Sequence, residues 1–295
     1  MKFLVLTLCF LAAAFADVDY DIKRLALQNP DLYDGDMLGI DGPFDAERNA
    51  IPGQKFRWPH AEVPYIIDST LEGYKQFILD AIKNYHDHTC VRFVPRTNQN
   101  DYVKIFLGQG CYSQVGRVGG QQLLSLGNGC LYVGTAIHEF GHALGFYHEQ
   151  SRSDRDDYLI IYLENVLSGT EYNFDKLAPT QNILFTPFDY DSIMIYGNDA
   201  FSKNKRDTMV AKNGRKLLNP FDKNSMTKLD IERVNKMYNC KNILIVINIS
   251  VLINCGMRLG AINLSEIRSH RYFFTCAENV MEEFKQIKQK EILVP

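Results

Sequence analysis

Two histidines four residues apart, His138 and His142, open the segment of the chain with the clearest chemistry. A helix advances about 100° per residue, so both imidazoles project from one face and can bind one metal ion at roughly 2.0–2.1 Å. Gly145 lies where a left-handed conformation would end the helix and return the chain, with His148 as a third ligand. Three protein ligands leave one position for water, which the Glu139 carboxylate can deprotonate. The spacing therefore predicts a catalytic zinc site.

The alternative for such a histidine pair is two solvated side chains on a helix surface, which is the usual role of an isolated pair. Here the third histidine and the glycine coincide with a downstream turn over residues 192–196 that carries Met194. The charged run over residues 148–156 continues the pattern. Together these motifs resemble the astacin family of secreted zinc endopeptidases, and the resemblance covers residues 49–240.

The resemblance implies an α+β metzincin fold of two subdomains. The upper one is expected to hold a mixed β-sheet with two long helices, and the lower one to be irregular with a C-terminal helix. One zinc ion per catalytic domain is implied, bound by the three histidines, with Glu139 as general base and Tyr196 as a second catalytic residue that stabilises the oxyanion. Met194 is expected to form an apolar floor beneath the imidazoles. The histidine common in the family between these last two positions is Ile195 here.

The N-terminus reads as a secretory signal peptide over residues 1–16, with basic Lys2, an apolar run and a small-residue cleavage site at Ala16. The apolar run is too short for a membrane anchor, and no later segment reaches the ~20 apolar residues of a membrane span. The formal net charge is −3 without a dense basic block, so we expect no nucleic-acid partner. The sequence predicts a secreted, extracellular protein.

Loss of the signal peptide removes Cys9 and leaves six cysteines, which in an oxidising compartment are expected to form disulfides. They are Cys90, Cys111, Cys130, Cys240, Cys255 and Cys276. Six cysteines allow 15 pairings, among which the sequence alone does not choose. The family resemblance implies Cys90 with Cys240 and Cys111 with Cys130.

Residues 17–48 form an acidic segment with turn signals and little periodicity, which predicts a propeptide without a core of its own. Within it, residues 33–36 read Tyr-Asp-Gly-Asp and resemble the astacin Phe-x-Gly-Asp element, with Tyr33 in place of phenylalanine. The resemblance implies that Asp36 occupies the open position on zinc and keeps the zymogen inactive. The alternative is a simple turn, which such a short Asp/Gly stretch more often forms.

Activation is expected by cleavage after Arg48 by a trypsin-like protease. In the family, the freed N-terminus folds inward and pairs with the glutamate after the third histidine, which is Glu149 here. A buried charge must be paired, so the resemblance assigns this carboxylate as the partner of the new terminus at Asn49.

Periodicity places the elements of the catalytic domain, residues 49–240. A strand over residues 63–68 precedes a helix that Ser69 and Glu72 would start as a capping box. The apolar stripe predicted for this helix is Leu71, Tyr74, Ile78, Ala81, Ile82 and Tyr85. Further strands are predicted over residues 91–94, 103–107 and 123–126, and a last helix over residues 227–238.

The sequence thus predicts a zinc metalloendopeptidase that is secreted as a zymogen, acts on protein or peptide substrates, and functions as a monomer. The alternative is a secreted binding protein that keeps the fold but is catalytically silent; such proteins usually lose the base or a ligand. The tail over residues 241–295 matches no known module and is left unassigned.

Overall fold

The computed structural model describes residues 17–40 and 54–240. The chain divides into two compact units, residues 1–239 and 240–295, and the second lies outside the described residues except for Cys240. The predicted signal peptide, the Arg48 cleavage site with Asn49, and the tail from residue 241 also fall outside them.

A six-stranded mixed sheet forms the upper part of the first unit, as predicted. Its spatial order is β1-β5-β6-β4-β2-β3, and every neighbouring pair is parallel except β5 with β6. The strands are β1 (Met37–Leu38), β2 (Glu62–Ile67), β3 (Arg92–Pro95), β4 (Tyr102–Phe106), β5 (Cys111–Gln114) and β6 (Gln121–Leu126). The sequence did not predict β1 and β5. A separate antiparallel pair, β7 (Leu159–Ile161) and β8 (Met209–Ala211), lies in the lower part.

The helices are α1 over residues 17–26, α2 (Lys75–His88), α3 (Val133–Leu144) and α4 (Lys228–Met237). The predicted capping box at Ser69 is wrong. Asp68 caps a 3-10 turn instead, because its carboxylate accepts from the Thr70 amide at 3.1 Å, and the α-helix begins only at Lys75. That turn carries Tyr74 away from the stripe, so its side chain is 50% exposed whereas the other five predicted positions are buried.

Helix α3 is buried along nearly its whole length, including its polar residues His138, Glu139 and His142. It packs against α2, where the Tyr85 hydroxyl donates to the Ile137 carbonyl at 2.8 Å and Phe93 of β3 lies against Phe140. A helix held this firmly fixes the direction of the side chains along it, which include the first two predicted zinc ligands.

The segment of residues 17–40 is more regular than its sequence indicated. Leu27, which follows α1, joins the main core, and Tyr20 of α1 donates to the Asp199 carboxylate at 2.9 Å. Strand β1 then pairs in parallel with β5, Met37 opposite Ser113. The segment therefore shares the core of the catalytic domain instead of building its own.

Cys111 of β5 is joined to Cys130 by a disulfide, the pairing that the resemblance implies. Cys90 and Cys240 are each disulfide-bonded as well, and their pairing with one another stays a prediction. Among the described residues, no helix has the length and apolarity that crossing a membrane requires.

Candidate metal centre

The three predicted ligands converge because of how α3 ends. His138 and His142 lie one turn apart on the buried face of α3, and Gly145 terminates the helix with φ at 111°. This left-handed conformation, costly for any residue with a Cβ, turns the chain back so that His148 faces the helix. The Phe146 amide closes the turn by donating to the Gly141 carbonyl at 3.0 Å.

The Nε2 atoms of the three imidazoles form a nearly equilateral triangle. His138 and His142 are separated by 3.1 Å between these atoms, and each lies 3.2 Å from the Nε2 of His148. Ligand atoms about 2.0–2.1 Å from a tetrahedral zinc ion are about 3.3–3.4 Å apart. The triangle therefore has the dimensions of one face of a tetrahedral zinc site.

The Asp36 carboxylate supplies the fourth vertex. Its oxygens lie 3.0 Å from the Nε2 of His138, 3.3 Å from that of His142 and 3.2 Å from that of His148. All four side chains are buried, and together they form a group able to hold a metal ion. The aspartate predicted to keep the chain latent thus lies with the three histidines.

The hydrogen bonds of the Nδ1 atoms determine the protonation of the Nε2 atoms in the same imidazoles. The Nδ1 of His138 lies 2.8 Å from the Ile193 carbonyl, and that of His142 lies 2.7 Å from the Phe146 carbonyl. A carbonyl only accepts, so both Nδ1 atoms carry the proton and both Nε2 atoms present lone pairs. The Nδ1 of His148 faces the Asp34 carboxylate at 3.3 Å. Three imidazole nitrogens and a carboxylate that converge at these distances are a ligand set that zinc prefers, so these residues fit zinc.

Burial and charge shift the pKa values around this point. Burial lowers the pKa of His138 to about 4. It would lower that of His148 too, but the carboxylates of Asp36 and Asp34 outweigh it and raise that pKa to about 9. For Asp36 itself, the facing His148 and His142 outweigh burial and hold the carboxyl pKa well below its usual range. The Asp36 carboxylate thus stays ionised against the imidazoles.

Glu139 lies beside the ligands in an unusual state for a carboxyl group. Its side chain is completely buried, yet neither oxygen has a hydrogen-bond partner among the described residues. Burial, reinforced by the Asp36 charge, raises its pKa well above the ordinary value. A group this costly to bury is expected to serve a reaction instead of stability.

The Tyr196 side chain also contacts the group formed by the three histidines and Asp36. Its ring lies 4.4 Å from that of His148, and its hydroxyl donates to the Asp36 carboxylate at 2.5 Å. The Leu27 carbonyl also lies 2.8 Å from this hydroxyl. Burial and the Asp36 charge raise the pKa of the phenol well above its usual value, so the group is a proton donor. In this structure the predicted catalytic tyrosine is held by atoms of residues 17–40.

The turn around Met194 packs against α3 and is anchored from α4. A Cβ on Gly141 would come within 2.5 Å of the Met194 sulfur, which shows how closely helix and turn approach. Asp230 of α4 accepts from the Ser192 hydroxyl at 2.6 Å and from the Ile193 amide at 2.8 Å. Since the Ile193 carbonyl accepts from the first ligand, α4 orients that imidazole through the turn.

Glu149, which follows the third ligand, is buried with several partners. Its carboxylate contacts Arg152 at 3.0 Å and Arg233 of α4 at 2.8 Å, and it accepts from the Asp189 amide at 2.8 Å. Burial raises the pKa of this carboxyl, with both guanidinium groups acting in the opposite direction. The Glu149 carboxylate therefore already has partners among the described residues, and a new terminus at Asn49 would join an existing cluster.

Three residues that contact the predicted site residues were missed by the sequence reasoning: Asp34, Arg233 and Asp230. Asp34, placed only as the variable residue of the prosegment motif, binds both His148 and the Ser151 hydroxyl, the latter at 2.6 Å. Arg233 was missed because nothing local connects it to Glu149. Asp230 had a readable signal, since Thr227 three residues earlier forms a capping box with it.

A family model agrees with this geometry. Residues 50–239 match the model described as Astacin (Peptidase family M12A). The chain is 48% identical over 214 residues to astacin-like metalloprotease toxin 1 of Loxosceles intermedia, covering 71% of this chain and 81% of that protein. It is 41% identical over 242 residues to zinc metalloproteinase nas-4 of Caenorhabditis elegans, covering 76% of each.

A solved structure is similar as well. High choriolytic enzyme 1, a hatching enzyme zinc-protease from Oryzias latipes, superposes with a TM-score of 0.58 at 43% identity. The match covers 63% of this chain and 94% of that one.

Proposed function

Because the chain belongs to the astacin family of zinc metalloendopeptidases, we propose that it is secreted as a zymogen that Asp36 keeps latent and that proteolysis activates. The observation that carries this proposal is the position of the Asp36 carboxylate at the fourth vertex of the three-histidine site. The chain's cofactor is zinc, and His138, His142 and His148 would hold it. When bound, zinc supplies Lewis-acid activation of a water molecule and of the peptide carbonyl.

Glu139 acts as the general base. Its carboxylate adjoins the three histidines and has no hydrogen-bond partner among the described residues, so a water molecule at the metal can donate to it. It takes a proton from the attacking water and delivers it to the leaving amine. The absence of other donors around it, among the described residues, keeps it available for that water.

Tyr196 stabilises the oxyanion. Its hydroxyl now donates to a carboxylate oxygen at the fourth vertex. Once that carboxylate leaves, the same hydroxyl faces the position where the carbonyl oxygen develops negative charge. A donor already directed at this point needs little reorganisation when the reaction occurs.

Latency follows from the same contacts. Asp36 takes the coordination position that water needs and also holds the hydroxyl of Tyr196. One residue of the prosegment therefore blocks two parts of the catalytic machinery. Removal of residues 17–48 releases both together.

Activation creates a new terminus at Asn49, and we assign Glu149 as its partner. A cavity of about 40 Å³ beside this glutamate is lined by Arg152 and Arg233 together with apolar side chains that include Ile183. The cluster holds two arginines against Glu149, Asp154 and Asp230, so one further positive charge would neutralise it. An incoming ammonium group would therefore complete the cluster.

Export and disulfide formation are both consistent with an extracellular enzyme. The signal sequence over residues 1–16 directs export, and disulfides at the four cysteines from Cys90 to Cys240 suit an extracellular enzyme. We propose that a trypsin-like protease cuts after Arg48 and that the monomeric enzyme then acts on protein or peptide substrates. The alternative of a silent binding protein has no support at the site, because all three ligands and Glu139 are present.

Activity before and after processing tests this proposal. The purified full-length chain is treated with trypsin and assayed on a quenched peptide library, with and without a chelator. We expect activity only after cleavage and only without chelator, whereas Asp36→Ala should be active uncut and Arg48→Ala should resist activation. Asp31→Ala, a change at an exposed prosegment carboxylate, is the matched control and should stay latent. Hydrolysis by the uncut wild type at the processed rate, or silence of uncut Asp36→Ala, would overturn the aspartate latch.

A further inference from the structure

A second apolar cluster lies apart from the main core and joins the prosegment to the catalytic domain. Six buried side chains form it, three from each side. The prosegment contributes Tyr33, Met37 and Ile40, and the catalytic domain contributes Val115, Tyr147 and Leu177. Each of the six is at most 8% exposed. Three apolar side chains of the catalytic domain are therefore covered by residues that activation would remove.

This cluster adjoins the metal centre. Met37 directly follows the carboxylate at the fourth vertex, and Tyr147 directly precedes the third ligand. Leu177 is tied to the same region, because its amide donates to the Ser151 carbonyl at 2.8 Å. The Met37 side chain is 0% exposed. It is thus next in sequence to Asp36, whose carboxylate occupies the position where the substrate would react.

The backbone of the prosegment supports the same interpretation. Met37 and Leu38 pair with Ser113 and Gln114 of β5, so the latent chain occupies the edge that β5 would otherwise present. After processing, an extended peptide can take that edge through main-chain hydrogen bonds, and alternate side chains then enter the pocket. The side chain that enters meets the walls that now contact Met37.

We propose that Val115, Tyr147 and Leu177 form an apolar subsite that accepts a bulky apolar side chain of the peptide substrate beside the scissile bond. This proposal rests on the proposed function, because it requires removal of the prosegment from a catalytic cleft. Met37 fills the subsite in the latent chain. The polar group that the prosegment adds here, the Tyr33 hydroxyl, is buried without a hydrogen-bond partner among the described residues and leaves with the prosegment.

The expected size of the preference for an apolar side chain follows from the free energy of burying it. Fully burying a leucine-sized side chain favours binding over glycine by about 10- to 100-fold. A quenched peptide series that places Leu or Gly at each position flanking the scissile bond measures this ratio as kcat/KM of the processed enzyme. We expect one position at which leucine is preferred by about that factor.

Substitutions in the proposed subsite test whether it causes the preference for leucine. Leu177→Ala should lower the leucine-to-glycine ratio about tenfold. Leu167→Ala, at a leucine that is 49% exposed, is the matched control and should keep the wild-type ratio. Val115→Ala provides a second test of the pocket if Leu177→Ala fails to fold. The subsite is overturned if no position favours leucine, or if the folded pocket variant keeps the same ratio as the control.

A binding measurement separates failure of the subsite from failure of the proposed function. Calorimetry of the same peptides with processed Glu139→Gln protein reports affinity without turnover. Tighter binding of the leucine peptide by this variant, together with no hydrolysis of either peptide by the processed wild type, would support the subsite and reject the proposed reaction. Efficient hydrolysis without discrimination in either assay would keep the reaction and reject the subsite.

Discussion

Two glutamates ten residues apart, Glu139 and Glu149, are both buried and have opposite surroundings. The first has no hydrogen-bond partner among the described residues, and the second contacts two guanidinium groups and a backbone amide. Burial raises the pKa of both carboxyls, but Asp36 adds to the effect at Glu139 whereas Arg233 and Arg152 oppose it at Glu149. Among the described residues, the Glu149 carboxylate is therefore paired and the Glu139 carboxylate is not.

The difference separates the metal centre from the ion-pair cluster, which we define as Glu149, Arg152, Asp154, Asp230 and Arg233. A buried charge without partners lowers the free energy of unfolding, so its retention indicates a role in chemistry. A buried charge with partners contributes to the architecture that positions that chemistry. We therefore expect substitutions in the metal centre to change rates, and substitutions in the cluster to change stability.

Glu139→Gln is expected to have the largest effect on rate. The amide keeps the shape of the side chain but cannot accept the proton, so kcat of the processed enzyme should fall by about 10²- to 10⁴-fold. Zinc content by atomic absorption should be unchanged, since the ligands are untouched. The melting temperature should be equal or higher, because a costly buried carboxyl group is gone. Turnover equal to wild type would refute the role of Glu139 as base.

Glu149→Gln is expected to have the largest effect on stability. It leaves Arg152 and Arg233 without their shared partner, which should cost about 3–5 kcal/mol and lower the melting temperature by roughly 6–20 °C. Differential scanning calorimetry of the full-length latent chain measures this shift. Glu164→Gln, at an exposed position, is the matched control. Equal melting temperatures for the two variants would show that the ion-pair cluster does not stabilise the fold.

The metal centre was predictable from sequence because its ligands are local. His138, His142 and Gly145 are constrained by one helix and its end, so residue spacing determines their geometry. Asp36 lies far away in sequence, and only the family resemblance indicated it. Its neighbour Asp34 was not indicated, because no sequence pattern shows that its carboxylate reaches a ligand from the other side.

The ion-pair cluster was not predictable for the same physical reason. The contact between Glu149 and Arg233 spans 84 residues and depends on where α4 packs. Helix α1 was missed for another reason: the turn-rich residues that follow it dilute its pattern, although the partly buried Tyr20 and the buried Arg24, with Leu27 just after the helix, repeat at helical spacing. The tight turn at Asp68 likewise shifted the start of α2, because the carboxylate cap precedes the predicted one.

Tyr196→Phe tests the metal centre with a smaller expected change. Loss of one hydrogen bond to a charged transition state, about 1.5–3 kcal/mol, should lower kcat by about 10- to 100-fold with a smaller change in KM. Stability of the processed enzyme should hold, because the partners of this hydroxyl lie in residues 17–40, which the proposed activation removes. Tyr190→Phe, which removes a hydroxyl bonded to the Tyr158 carbonyl, is the control and should keep kcat. A raised KM with unchanged kcat would make Tyr196 a substrate-binding residue instead.

Thr227→Ala has the smallest expected effect. It tests whether a change next to the ion-pair cluster alters stability without altering the rate. Thr227 caps α4, where its hydroxyl accepts from the Asp230 amide at 3.0 Å and its own amide donates to the Asp230 carboxylate at 3.0 Å. Loss of the cap should cost about 1 kcal/mol, or roughly 2–4 °C in melting temperature, because the first turn of α4 loses a hydrogen-bond partner.

The kcat of processed Thr227→Ala should nevertheless match wild type, because Asp230 keeps its bonds to the turn around Met194 and Arg233 keeps its contact with Glu149. Thr180→Ala, at an exposed threonine, is the control for both measurements. A fall in kcat without a fall in melting temperature would mean that α4 contributes directly to the chemistry, and the separation between the two regions would then fail.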